Sequence, residues 1–138
     1  MNSSSKRLED ITYFIDRSLG GKIVAAKLRE SGLSVVAHDE YFPQNCPDEE
    51  WLRIVGSRGW IVLTRDTRIR TRSLEIQAFA EANVLGFVLT AKNLSGEGTA
   101  RAFQLAVSRM QQAALDETRP AMFAVDRNGR VTKLRTLA

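Results

Sequence analysis

Two rhythms of apolar and polar residues alternate along this chain. Short unbroken apolar runs recur, and between them apolar residues return every three or four positions. The clearest run is Trp60-Ile61-Val62-Leu63, which follows Gly59 and stops at Thr64-Arg65-Asp66. Such a run predicts a strand buried on both faces, as in a parallel sheet covered by helices. Residues 11–15 predict a first strand ending on Asp16-Arg17, and residues 34–37 a second, ending on His38-Asp39-Glu40. Residues 84–90 predict a fourth. Between the first two strands, Ile23, Val24 and Leu28 mark a helical face, with Ser18 as its candidate cap and Gly32 as its stop. Asp48-Glu49-Glu50 opens a second predicted helix with Trp51, Leu52 and Val55 inward, closed by Gly59. A third covers about residues 73–83, and Ala102, Phe103, Ala106, Val107, Met110 and Ala114 mark a fourth. Asn128-Gly129 then sits between two apolar stretches and predicts a hairpin, its edge blunted by Lys133 and Arg135.

The order strand–helix, repeated, predicts an α/β fold: a three-layer αβα arrangement with a central, mainly parallel sheet. A C-terminal β-hairpin is expected at about residues 120–138. A flexible arm is expected over residues 1–10, followed by one domain over 11–138. Right-handed crossovers put every strand-to-helix loop on one side of the sheet. Asp16, Asp39, Asp66 and Thr90 therefore gather at the rim where open α/β sheets bind ligands.

Composition narrows the field. A chain of 138 residues suits a single core, and an apolar fraction of 43% is that of a folded protein. The net charge of +4 favours a polyanionic partner without identifying it. A single cysteine, Cys46, excludes an internal disulfide and a cysteine-built zinc cluster, and a single histidine, His38, excludes a histidine-rich metal site. No apolar stretch is long enough to cross a bilayer, and residues 1–6 lack the apolar centre of a signal peptide, so a soluble cytoplasmic protein is expected.

The acids carry the candidate chemistry. Carboxylates at neighbouring strand ends repel one another and lose hydration in a crevice, so one would take up a proton unless a cation neutralised them. Magnesium and manganese favour oxygen ligands of this kind. Asp16 and Asp66 end strongly apolar strands. Asp48 and Glu49 also suit an ordinary helix start, and Asp39 also suits a solvated loop. Arg65, Arg68, Arg70 and Arg72 precede the third predicted helix, where cations do nothing for helix stability. Contact with phosphates explains them, and a solvated loop that balances nearby acids is the plainer alternative. His38 reads as structural, with a role as acid or base the alternative, Trp51 and Trp60 as core, and Tyr41 and Phe42 as loop residues able to stack on a base.

Taken in order, Tyr13-Phe14-Ile15-Asp16-Arg17-Ser18-Leu19-Gly20, Pro47-Asp48-Glu49-Glu50-Trp51-Leu52 and Trp60-Ile61-Val62-Leu63-Thr64-Arg65-Asp66 resemble the PIN-domain nucleases, above all the small toxins of bacterial VapBC toxin–antitoxin pairs. The resemblance spans about residues 11–93. It implies a ribonuclease dependent on Mg²⁺ or Mn²⁺, with Asp16, Asp48 and Asp66 as catalytic metal ligands and Thr64 in support. The middle acid falls in the Asp48–Glu50 group, where Asp48 is preferred and Glu49 stays open, and a fourth acid common in the family has no placed counterpart; Asp39, at the end of the second strand, is a further candidate metal ligand on its position alone. Arg17, Arg65, Arg68, Arg70 and Arg72 are the expected RNA-phosphate contacts. An RNA substrate, a cognate antitoxin protein and a possible homodimer are the implied partners. A phosphoacceptor receiver domain, with Asp66 as acceptor, is the competing reading, although receivers pair acids at the first strand. A PIN-like module that binds RNA or protein without catalysis is the third.

Overall fold

The computed structural model describes residues 10–20, 22–67 and 73–134. Six strands form one sheet in the order β2-β1-β3-β4-β5-β6. They are β1 (Thr12–Ile15), β2 (Ser34–Ala37), β3 (Ile61–Thr64), β4 (Leu85–Leu89), β5 (Ala121–Val125) and β6 (Val131–Lys133). The first five run parallel, and β6 returns antiparallel to β5.

Side chains alternate across each strand, so the core divides into two layers. Tyr13, Ile15, Ile61, Leu63, Phe87 and Phe123 face one side. There they meet α1 (Lys22–Glu30), through Val24, Ala25 and Leu28, and α5 (Gly96–Asp116), through Phe103, Ala106 and Met110. Phe14, Val62, Val88 and Met122 face the other. They are covered by α3 (Asp48–Ser57), through Trp51, Leu52 and Val55, and by α4 (Ser73–Glu81), through Phe79. This is the three-layer αβα arrangement that the alternating pattern predicts. No helix among the described residues is long and apolar enough to cross a membrane.

Two details differ from the pattern-based expectation. Ser18 does not cap α1; it lies in a 3₁₀ turn, Arg17–Leu19, because Leu19 is drawn into the core immediately after β1. The stretch after β2 makes a helical turn, α2 (His38–Tyr41), where Glu40 accepts a hydrogen bond from the Ala37 N–H at 3.0 Å. Arg29 from α1 grips the same carboxylate with two bonds, at 3.0 and 2.6 Å. The expected C-terminal hairpin forms: its first strand, β5, is interior and zipped to β4 over five residue pairs, and its second, β6, lies at one edge of the sheet. Of the expected arm, only Asp10 lies within the described residues.

Candidate active site

Strand order reverses between β1 and β3. β2 lies on one side of that pair and β4 on the other. In open α/β sheets the crevice at such a switch point, beyond the strands' carboxyl ends, is where ligands bind. Asp16 stands at that point. Its backbone N–H continues the sheet by one bond, donating to the Leu63 carbonyl at 3.0 Å. Its side chain is only 6% exposed.

Hydroxyls converge on this carboxylate. Thr64, fully buried at the end of β3, donates to Asp16 Oδ2 at 2.6 Å. Ser18 donates to the same oxygen at 2.9 Å and lies 3.0 Å from the Thr64 hydroxyl. Each hydroxyl also accepts from the chain leaving β3: Thr64 from the Asp66 N–H and Ser18 from the Arg65 N–H, both at 3.0 Å. One knot therefore ties the end of β1 to the end of β3. Burial pushes the Asp16 carboxyl above the usual carboxylate range. The hydroxyls of Thr64 and then Ser18 pull it down, the charge of Asp48 pushes it up, and a backbone hydrogen bond from Arg17 pulls it down again.

Asp48 reaches the site from α3. Pro47 is the N-cap of that helix and Asp48 its first residue, with its side chain employed elsewhere. Asp48 Oδ1 accepts from the Trp51 indole at 2.9 Å and from Arg17 at 3.1 Å. Arg17, expected on RNA phosphates, also donates to the Gln44 carbonyl. Arg65 donates to Thr99 at 2.8 Å, which pins the end of β3 to the start of α5. Asp39 is exposed, accepts from Gln44 at 3.0 Å, and lines the same cavity as Asp16. Glu49 is exposed on α3 and shares a shallow depression with Asp48 and Leu74. Arg68, Arg70 and Arg72 lie outside the described residues.

The geometry thus joins Asp16, Thr64, Ser18 and the Asp66 backbone directly, and brings Asp48 close enough for its charge to act on Asp16. Among the described residues, no three carboxylate, histidine or cysteine side chains come together as a ready-made metal cage. Ser18 escapes a reading by pattern, because a serine before a helical stretch looks like a cap. Its signal was the spacing of two from Asp16, which lets the side chain fold back in a tight turn. Thr64→Val tests the knot. It keeps the side chain's shape but leaves the Asp66 N–H without this acceptor and Asp16 without its shortest bond. A loss of about 1–3 kcal/mol is expected in urea unfolding, and unchanged stability would show that the knot holds nothing.

Comparison with known proteins fits this geometry. The family model described as "PIN like domain" matches residues 11–91, from the start of β1 to just past β4. The chain is similar to "Putative ribonuclease VapC45" of Mycobacterium tuberculosis, at 24% identity over 119 residues, covering 83% of this chain and 86% of that protein. No solved structure matches significantly.

Proposed function

Because the chain belongs to the PIN-like domain family, we propose that it is a metal-dependent endoribonuclease, the toxin of a type II toxin–antitoxin pair. Its place is the cytoplasm, and a cognate antitoxin protein holds it in check. The name carried by the mycobacterial relative supports the ribonuclease reading. Family membership also weighs against a receiver module.

The observation that carries the proposal is Asp16, a buried carboxylate held by two hydroxyls at the sheet's switch point. Burial and the charge of Asp48 both oppose its ionisation. A cation beside it relieves both. The donor set fits a hard divalent ion, Mg²⁺ or Mn²⁺: Asp16, Asp48 and Asp66 would hold it through oxygen, with Glu49 and Asp39 as further candidates. When bound, such an ion polarises a phosphodiester and activates water.

The protein's own groups do the rest. Thr64 and Ser18 fix the Asp16 carboxylate in one orientation, which spares the site reorganisation when it binds. Arg17 and Arg65, with Arg68, Arg70 and Arg72 from the neighbouring segment, would hold the RNA phosphates. An incoming phosphate competes with Asp48 and the Gln44 carbonyl for Arg17.

The direct trial is purified protein with RNA and Mn²⁺ or Mg²⁺. Internal cleavage leaving 5′-phosphate ends is expected, abolished by a chelator. RNA left intact with both ions, by protein shown to be folded, would leave the binding-module reading in its place.

A further inference from the structure

A cavity of about 450 Å³ opens beside Asp16, between α1 and the turn that follows β2. That volume is typical of small-molecule sites. Part of its wall is apolar, from Ile15, Ala25, Ala26 and Ala37, and Asp16, Asp39 and Glu40 also line it. Two cations also line it: Lys22, and Arg17, which already donates to Asp48 and to the Gln44 carbonyl. A third, Arg29, is committed to Glu40 and to the Val35 carbonyl.

His38 lines the same cavity and is 1% exposed. Neither of its ring nitrogens has a hydrogen-bond partner. Asp39 comes nearest, 3.6 Å from Nδ1, and its carboxylate already accepts from Gln44. Phe14, Phe42 and Trp51 pack about the imidazole with ring centroids 5.6–6.0 Å away. A buried polar group without a partner costs stability, so an imidazole kept in this state points to a ligand that completes it. The two ring nitrogens of an imidazole can present one donor and one acceptor.

We propose that this cavity is a nucleobase subsite, which takes one base of the RNA beside the scissile phosphate while His38 reads that base's hydrogen-bonding edge. The assignment to an RNA strand rests on the nuclease reading. A base has flat apolar faces and a polar edge that mixes donors with acceptors. The alanine and isoleucine walls suit the faces, and the imidazole suits the edge. A carboxylate or an ammonium in its place would admit only one polarity. Arg17 and Lys22 then suit the attached phosphate, and Asp16 at the cavity's margin places the base next to the reacting bond.

The full-length protein, free of metal, is titrated with each of the four ribonucleoside 5′-monophosphates while the His38 ring signals are followed by NMR. At millimolar concentration at least one nucleotide should shift them, and the four should differ in affinity. Ala26 is exposed on α1, so Ala26→Phe should fold and block the cavity, weakening binding about tenfold or more. His38→Phe should bring the four affinities together. On RNA of random sequence, the base preference beside the cut should flatten in both variants. His38 signals unmoved by all four nucleotides, or a base preference identical in wild type and both variants, would overturn the subsite. The two readings fail separately. Nucleotide binding at His38 without RNA cleavage sinks the nuclease and keeps the subsite. Cleavage with His38 unmoved does the reverse, and shifts produced only by a peptide would hand the cavity to a protein partner.

Discussion

Asp16→Asn should melt at a higher temperature than the wild type at neutral pH without metal, and should lose RNA cleavage by on the order of 10³-fold or more. Both effects have one cause. The fold raises the Asp16 carboxyl above its ordinary range, chiefly by burial. Just above the ordinary carboxyl range the unfolded chain has released this proton and the folded protein has not. Stability therefore declines as pH rises through that window, and the full penalty remains at every pH above the folded-state value. Asparagine carries no charge to desolvate, and its oxygen can still accept from Thr64 and Ser18. Its amide cannot accept from the Arg17 N–H, which trims the gain. A rise of roughly 3–5 °C is expected, the shift that ~1 kcal/mol produces in a domain of this size. The difference should shrink as pH falls through the ordinary carboxyl range. Mn²⁺ should raise the Tm of the wild type and leave that of the variant unchanged. A variant that melts lower than wild type at neutral pH, or that gains from Mn²⁺ as wild type does, would remove Asp16 from the centre of the site.

The largest loss of stability is expected at Gly56. It lies in α3, where that helix crosses the end of α4. A Cβ at this position would stand 2.0 Å from the Ala82 carbonyl oxygen and 3.2 Å from Val84 Cγ2. The first of these is backbone, which no rotamer change can move aside. The two helices would have to separate above Phe79 and Val55, both fully buried. Overpacking of this kind costs about 1–3 kcal/mol or more, set against about 1 kcal/mol that alanine gains over glycine within a helix. Gly56→Ala should therefore lose about 2 kcal/mol net and melt roughly 6–10 °C lower. Arg53→Ala, exposed on the same helix, should stay within about 0.5 kcal/mol of wild type. Equal stability of Gly56→Ala and wild type would mean that α3 and α4 do not pack as described. Because α3 carries Asp48, the substitution should also disturb the site.

Element identity was legible wherever one period dominated. The Trp60–Leu63 run and the 3.6-residue repeat through Ala102 and Met110 each admit one structure, and β3 and α5 form there. Local chemistry sufficed for the stops as well: Gly32 and Gly59 both adopt positive φ at helix ends. The turn at His38–Tyr41 was not legible, because it is held by a bond from the Ala37 N–H to Glu40 and by Arg29 from another helix. No local pattern announces a partner on α1. The position of β5 was hidden for a similar reason. The Asn-Gly turn announces a hairpin but not which strand the hairpin will join.

At the site, placing Asp16 at a strand end needed only the alternation of elements. Its surroundings needed the fold. Thr64 and Ser18 meet on one oxygen because β1 and β3 are neighbours in space, although 48 positions separate Asp16 from Thr64. Arg17 reads as a phosphate ligand in isolation and is found bonded to Asp48, 31 positions away.

Apart from the short turns at Arg17–Leu19 and His38–Tyr41, the amino-acid order alone determined which segments become strands and helices, and that acids follow the first and third strands, since both follow from short-range periodicity and steric preference. Tertiary structure decided how deeply Asp16 is buried, which hydroxyls and charges surround it, and that an imidazole borders a cavity beside it. Burial and electrostatic fields are properties of packing between distant segments, and those distances exist only once the chain has folded.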